Sequence, residues 1–364
     1  MTITAIDTEQ PLRVGVVGLG WAGQQHLAAY SGMPGVEVVA IAGKEAELGL
    51  ALGQEFEVPL VLADWEDLVA LDELDAVSVA VPTFLHAPIA IAALERGLHV
   101  LSEKPIARNA EEGGRMVAAA REAGRVLDVA FNHRRRGDVQ ALKQVIDAGE
   151  IGRAYHAKAS WMRRSGIPRL GSWFTNHEMS GGGPMADLGV HVLDYALHLL
   201  GEPEVIAVSA ATHSELGPRG LGGAVGVPVD ELTSPFEVED LVSAFLRLEG
   251  GGTLVVESSW AAYRDPVDLI DFAVFGTEGG AELVIRGATE TPVGEIRVFR
   301  EGEGSDYSPP AVAGRGHEAV VEEFVATVRD PQRWARHDGS HALTRARIID
   351  ACYRSAAEGK EIAL

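Results

Sequence analysis

Gly18, Gly20 and Gly23 limit what this chain can fold into more than any other residues do. They form a GxGxxG that follows a short apolar run at 14–17 and precedes a segment of helical period at 24–30. In that setting the first glycine permits a tight turn, the second lets the backbone approach a pyrophosphate, and the third lets helix and strand pack closely. The helix start adds N–H groups and partial positive charge, so Gly18, Gly20, Trp21, Ala22 and Gly23 are the expected contacts of a dinucleotide diphosphate.

A GxGxxG alone is a weak signal, but four more strand and helix alternations stand behind this one. Apolar runs at 36–42, 76–81, 100–101 and 126–130 read as strands, and 45–54, 65–69, 88–96 and 110–122 as helices. Strands apolar on both faces and separated by helices imply a parallel sheet covered on both sides. The expectation is an α/β, doubly wound Rossmann domain over residues 1–131.

Beyond it the pattern changes. Helical segments at 138–148, 185–200, 318–328 and 342–357 surround strand candidates at 154–162, 205–212, 241–248, 253–263, 269–275, 281–285 and 295–300. Gly250, Gly251 and Gly252 between two alternating runs mark a hairpin. Residues 132–364 therefore read as an α+β domain with a large, mostly antiparallel sheet. Two long loops, 214–235 and 302–316, are rich in Gly and Pro.

Bulk properties narrow the functional classes. The 364 residues exceed the usual size of one core, and 46% hydrophobic with 23% charged residues is ordinary for a folded chain. A formal net charge of −22 without a basic stripe argues against nucleic acid. Cys352 is the only cysteine, which excludes an intrachain disulfide or thiolate cluster and fits a cytoplasmic protein. The polar stretch 1–11 has no leader pattern, and no apolar run suits a membrane.

If the cofactor were NAD, the second strand should end in an acid for the ribose hydroxyls. Here it ends in Gly43 and Lys44, which leaves room for a 2′-phosphate and offers it a cation, so the reading leans to NADP over NAD. Glu45 and Glu47 are close enough for a different turn to restore a carboxylate.

Several motifs in order carry a resemblance. The segment Gly18 to Gly23, then Val81, Pro82 and Thr83 with His86, then Glu103, Lys104 and Pro105, then Gly181, Gly182 and Gly183 followed by Asp187, Gly189, His191 and Asp194 resemble the Gfo/Idh/MocA oxidoreductases. Gly276 to Gly279 and the stretch 351–359 extend the likeness over nearly the whole chain. The resemblance implies an NAD(P)-dependent hydride exchange with a secondary alcohol or ketone of a sugar, cyclitol or sugar derivative. It also implies an open-faced second sheet that forms a homodimer or homotetramer. Residue by residue it places Lys104, Asp187 and His191 around the reacting carbon, with Gly43 as the departure from the usual acid.

These residue types suit that chemistry. Histidine titrates near neutrality, so His191 is the candidate base for the hydroxyl proton. Asp187, four residues earlier, shares its helical face and can bind hydroxyls or orient the imidazole. Lys104 follows the fourth strand candidate, where a fixed ammonium would stabilise an alkoxide. Pro82, Thr83, His86, Glu103 and Asn132 follow strand ends and are assigned to the cofactor side together with Lys44. Trp173 is assigned to the substrate, and Trp161, Trp260 and Tyr263 are further stacking candidates. Each has a plainer reading: a loop charge beside Glu103 for Lys104, a buried satisfied histidine for His191, a helix cap for Thr83 or Asn132, core for the tryptophans.

Two other functions stay open, a glycosidase or lyase acting through transient oxidation and a non-catalytic dinucleotide-binding regulator. No metal is expected, because His86, His133 and His191 lack compact ligand spacing.

Overall fold

The computed structural model describes residues 10–223, 235–265, 267–287, 293–302 and 304–364. Residues 1–9, residues 224–234 of the first long loop and residue 303 of the second lie outside the described residues. The chain divides into two compact units, Met1–Asn132 with Gly316–Ala346, and His133–Arg315 with Arg347–Leu364.

In the first unit β1 (Leu12–Val17), β2 (Val36–Ala42), β3 (Leu60–Leu62), β4 (Ala76–Val79), β5 (His99–Ser102) and β6 (Leu127–Val129) form one parallel sheet in the order β3-β2-β1-β4-β5-β6. Between them lie α1 (Trp21–Ser31), α2 (Ala46–Glu55), α3 (Trp65–Val69), α4 (His86–Glu95) and α5 (Ala110–Ala123). This is the doubly wound order, with its reversal between β1 and β4. The sequence reading missed β3, whose three half-buried residues are too few to show a period. Helix α1 buries Gly23, His26, Leu27 and Tyr30, one helical face at spacings of three and four. Helix α5 begins where the Asn109 side chain accepts the Glu112 N–H at 2.9 Å and ends at Gly124, which has φ 60°.

The second unit holds α6 (Gly137–Asp147), β7 (Ala154–Arg163), α7 (His177–Ser180), α8 (Val190–Leu199), β8 (Val205–His213), β9 (Leu241–Leu248), β10 (Thr253–Ser259), β11 (Asp268–Gly276), β12 (Gly279–Arg286) and β13 (Glu295–Arg300). Helices α9 (His317–Arg329) and α10 (Ser340–Glu358) and the short β14 (Ile362–Ala363) close the chain. The sheet order is β13-β12-β11-β7-β10-β9-β8-β14. All neighbours are antiparallel except β7 and β10, which run parallel. The glycine hairpin joins β9 to β10, with Gly250 at φ 78° and Gly251 at φ 85°. Along β9, β10 and β11 buried and half-buried residues alternate. One face is core, and the other presents Phe245, Val255, Leu269, Ala273 and Val284 at intermediate exposure.

A single cut after residue 131 does not describe this chain. Val320, Val321, Phe324, Val325 and Val328 of α9 share one core with Leu12, Val14, Leu27 and Tyr30, so the helix belongs to the first unit. An apolar stripe must be buried wherever complementary surface exists, and sequence distance does not enter.

Helix α8 is buried on nearly every side and is tied by Asp194, 1% exposed, whose two oxygens meet the Arg134 guanidinium, one at 2.7 Å from Nε. Removing Asp194 takes away the carboxylate that meets this largely buried guanidinium most closely, leaving Glu202 at 3.8 Å. Asp194→Ala should therefore lower stability by about 3–5 kcal/mol in urea unfolding, and a loss below about 1 kcal/mol would show that the pair does not hold the helix.

Candidate active site

The glycine turn has the geometry that a dinucleotide needs. Gly18 sits at φ +100° between β1 and α1, and a Cβ there would lie 2.0 Å from the Ala80 carbonyl oxygen. A Cβ on Gly23 would lie 1.9 Å from the Gly18 carbonyl oxygen, so the helix packs where no side chain fits. A Cβ on Gly20 would meet nothing within 4 Å. The turn is closed against the sheet and open above Gly20, at the start of an 11-residue helix, which fits a diphosphate. Trp21, 68% exposed, stands edge-on to His317 at 5.2 Å between ring centroids.

The end of β2 differs from the sequence reading. The space beside Gly43 is not empty: a Cβ there would lie 2.6 Å from Leu19 Cγ and 3.2 Å from a Glu45 carboxylate oxygen. Lys44 forms an exposed ion pair with Asp64, whose hydrogen bond raises the lysine pKa. Leu19 and Glu45 thus occupy the side of Gly43 where a side chain would point, and Lys44 has an acidic partner of its own.

Lys104 follows β5 through Glu103 and is half-buried, with a cis peptide bond to Pro105. The Glu103 side chain turns inward. One carboxylate oxygen meets His26 Nε2 at 3.1 Å and His317 Nε2 at 3.0 Å, and the other accepts the Lys104 backbone N–H at 3.1 Å. His26 Nδ1 in turn lies 2.6 Å from Ser78 Oγ. Burial opposes ionisation of Glu103, but the hydrogen bonds from His26 and His317 together outweigh it and hold its carboxyl well below the ordinary value. The assignment of the Glu103 side chain to the cofactor is thus corrected: its oxygens are taken up by the protein. These three side chains could also hold a metal, their ligand atoms lying within 4.8 Å of one another. The hydrogen bonds already account for their approach, and no spacing rule in the sequence links positions so far apart.

The same correction applies to His86. It is 1% exposed, with Nδ1 2.8 Å from the Pro105 carbonyl oxygen and Nε2 2.9 Å from that of Val81. Burial lowers its pKa more than the two carbonyls raise it. The ring ties the turn after β4 to the segment after Lys104 and offers no free nitrogen to a ligand. Thr83, 3% exposed, begins the short turn Thr83–Leu85 capped by Pro82. Asn132 follows β6, and its Oδ1 is buried without a hydrogen-bond partner.

In the second unit Asp187 and His191 lie at the start of the buried helix, but not on a plain α-helix. Met185–Gly189 forms a π turn that leads into α8, so Asp187 sits in a local widening. Glu239 secures this start: one carboxylate oxygen accepts the Gly183 N–H at 3.0 Å, the other the Met185 N–H at 3.0 Å and the Tyr353 hydroxyl at 3.0 Å. Burial pushes the Glu239 carboxyl up. Asp187 accepts the Trp260 indole N–H at 2.8 Å. His191, 6% exposed, packs against His133 at 4.5 Å and Trp161 at 5.9 Å between ring centroids.

Two stacking candidates are therefore core. Trp260 is 0% exposed, and Trp161, 5% exposed, donates its indole N–H to Asp268 at 2.7 Å. Trp173 is half-buried and stacks on Phe174 at 3.8 Å, and Tyr263 is 81% exposed. His133 and Glu239 were not found from sequence. His133 was weighed only as a metal ligand and set aside for its spacing, and nothing marked Glu239.

Known proteins share the sequence and fold of both units. Residues 12–131 match the oxidoreductase family with an NAD-binding Rossmann fold, and 139–282 match the GFO/IDH/MocA C-terminal domain. The chain is 30% identical over 358 residues to D-glucoside 3-dehydrogenase of Escherichia coli, covering 98% of this chain and 99% of that one. It is 32% identical over 284 residues to levoglucosan dehydrogenase of Pseudarthrobacter phenanthrenivorans, covering 74% and 73%. A solved levoglucosan dehydrogenase in complex with NADH and levoglucosan superposes with a TM-score of 0.79 at 27% identity, covering 97% and 99%.

The chain belongs to the Gfo/Idh/MocA oxidoreductase family. It is an NAD(P)-dependent enzyme acting on CH–OH groups of sugar or cyclitol type. Among the described residues, no helix is long and apolar enough to cross a membrane.

The Glu103 cluster makes a prediction about acid stability. A carboxyl whose pKa is depressed by folding adds stability above its unfolded value of 4.5, and that stability is lost as pH falls below it towards the folded value. Glu103→Gln should be destabilised at neutral pH, and the gap to the native chain should shrink as pH drops below about 4.5. A difference in unfolding midpoint that stays constant with pH would contradict this origin.

Proposed function

We propose that this enzyme oxidises a secondary hydroxyl of a glucose-configured pyranoside, carbon 3 first of all, with NAD⁺ as acceptor. The observation that carries the reading is the Asp187 and His191 pair at the braced start of a buried helix, in a chain with an open glycine turn. The relative named D-glucoside 3-dehydrogenase, matched along nearly its whole length, supports the ring and the carbon. Levoglucosan dehydrogenase supports the same class of ring.

In this reading Gly18, Gly20, Trp21, Ala22 and Gly23 hold the diphosphate through backbone N–H groups. Pro82, Thr83 and Asn132 face the nicotinamide end. The dinucleotide, when bound, supplies the hydride acceptor. The His191 imidazole takes the hydroxyl proton, the Lys104 ammonium stabilises the alkoxide, and Asp187 orients the imidazole or a neighbouring sugar hydroxyl. The balance is alcohol plus NAD⁺ to ketone plus NADH and one proton.

NAD is preferred over NADP here because of Glu45. Its carboxylate lies beside Gly43 at the end of β2, where in this reading it would accept ribose hydroxyls and repel a 2′-phosphate, while Lys44 is engaged by Asp64. Glu45→Gln should narrow the NAD over NADP ratio of kcat/KM by about tenfold at most, since this charge contact is at an exposed position. An unchanged ratio would remove Glu45 from cofactor choice.

The half-buried apolar face of the second sheet suits a symmetric oligomer, and light scattering showing a monomer would reject that part.

Nicotinamide absorbance at 340 nm should rise with NAD⁺ and methyl β-D-glucopyranoside or levoglucosan. Lys104→Ala should bind NADH nearly as the native chain does yet turn over about 100- to 1,000-fold more slowly. Full turnover in that variant contradicts the reading. Methanol release from the glucoside without net NADH would instead favour the route through transient oxidation.

A further inference from the structure

We infer that Trp260 is a positioning residue, whose indole N–H fixes the orientation of the Asp187 carboxylate. The inference rests on the catalytic reading of Asp187 above and adds to it a residue that never meets the sugar.

The placement follows from local packing. Trp260 comes directly after β10, is 0% exposed, and has its backbone N–H on the Asp240 carbonyl at 3.1 Å. The neighbouring Ser259 hydroxyl bonds the same carbonyl at 2.9 Å, so the end of the strand is held at both residues. The π turn carrying Asp187 lies close to this strand because residue 189 is glycine: a Cβ there would come within 2.8 Å of Ser258 Oγ and 2.7 Å of Met185 Sδ. Strand end and helix start are thus brought together, and the indole Nε1 reaches Asp187 Oδ2 at 2.8 Å.

An indole is a donor only, with one proton in a rigid plane, and a carboxylate is an acceptor only. The bond cannot reverse its sense, and a fully enclosed ring cannot swing away. A hydrogen bond to a charged group in such a place is among the stronger ones. It fixes one oxygen of Asp187 and with it the plane of the carboxylate, which is what an orienting group requires. Burial also excludes the stacking role, because no sugar face can reach a ring without exposed surface.

Two measurements test this. In a ¹H–¹⁵N spectrum the Trp260 indole signal, assigned by its absence in Trp260→Phe, should lie downfield and should move upfield in Asp187→Asn. This arm requires no substrate. In kinetics with NAD⁺ and methyl β-D-glucopyranoside, Trp260→Phe should lower kcat/KM on the order of 10- to 100-fold. NADH affinity should stay close to native, while the unfolding midpoint falls with the lost ring volume and hydrogen bond. In the Asp187→Asn background the same change should add little, because both act through one group.

An indole signal unmoved by Asp187→Asn overturns the inference. So does native kcat/KM in Trp260→Phe where Asp187→Asn is impaired. Full turnover in Asp187→Asn instead defeats the catalytic reading, and the indole shift still decides whether the bond exists. If phenylalanine leaves the core too loose to fold, benzothienylalanine at position 260 keeps the bicyclic shape without the N–H and gives the same two outcomes.

Discussion

The first unit is organised around one buried carboxylate. Glu103 receives N–H groups from α1 through His26, from the start of α9 through His317, and from the backbone of Lys104. Those partners come from the glycine-turn helix, the returning C-terminal helix and the segment that bears the proposed electrophile. A buried ionised acid with three donors has few ways to rearrange, because each donor lost leaves charge uncompensated. The position of the lysine backbone is therefore set by the same contacts that join the cofactor helix to the rest of the fold.

The second unit solves a matching problem with different means. Asp187 lies in a π turn, a geometry that a helix adopts only when its surroundings hold it, and Glu239 and Trp260 do so from two directions. Neither partner is on the helix itself. Each arrives from the strand pair β9 and β10, either just before the one or just after the other, so the sheet serves as the frame that holds the helix start carrying Asp187.

Much of this was legible in the sequence because it is local. The glycine turn, the alternation of strand and helix, the Gly250 hairpin and the pair Asp187 and His191 are all patterns within a few residues. What escaped depends on distance along the chain. His26 and His317 meet Glu103 across 77 and 214 positions, and Trp260 meets Asp187 across 73. A tryptophan in the sequence reads as core more often than as a stacking platform, and its indole donor role at Asp187 shows only in the folded chain. His86 and Glu103 were expected on the cofactor side, yet their side chains turn inward, since a motif fixes where the backbone runs and not which way a polar group faces. At Gly43 the sequence showed an absent side chain but not that Leu19 and a Glu45 oxygen lie where a Cβ would be. The domain boundary failed for α9 because its apolar stripe finds a core laid down three hundred residues earlier.

The central claim is that hydride leaves a ring carbon of a glucoside for the nicotinamide. Methyl β-D-glucopyranoside carrying deuterium at carbon 3 tests it directly, with the NADH product weighed by mass spectrometry. The account predicts that the label appears in the nicotinamide ring. NADH formed without deuterium would place the reaction at another carbon, and no NADH at all from this sugar would contradict the account.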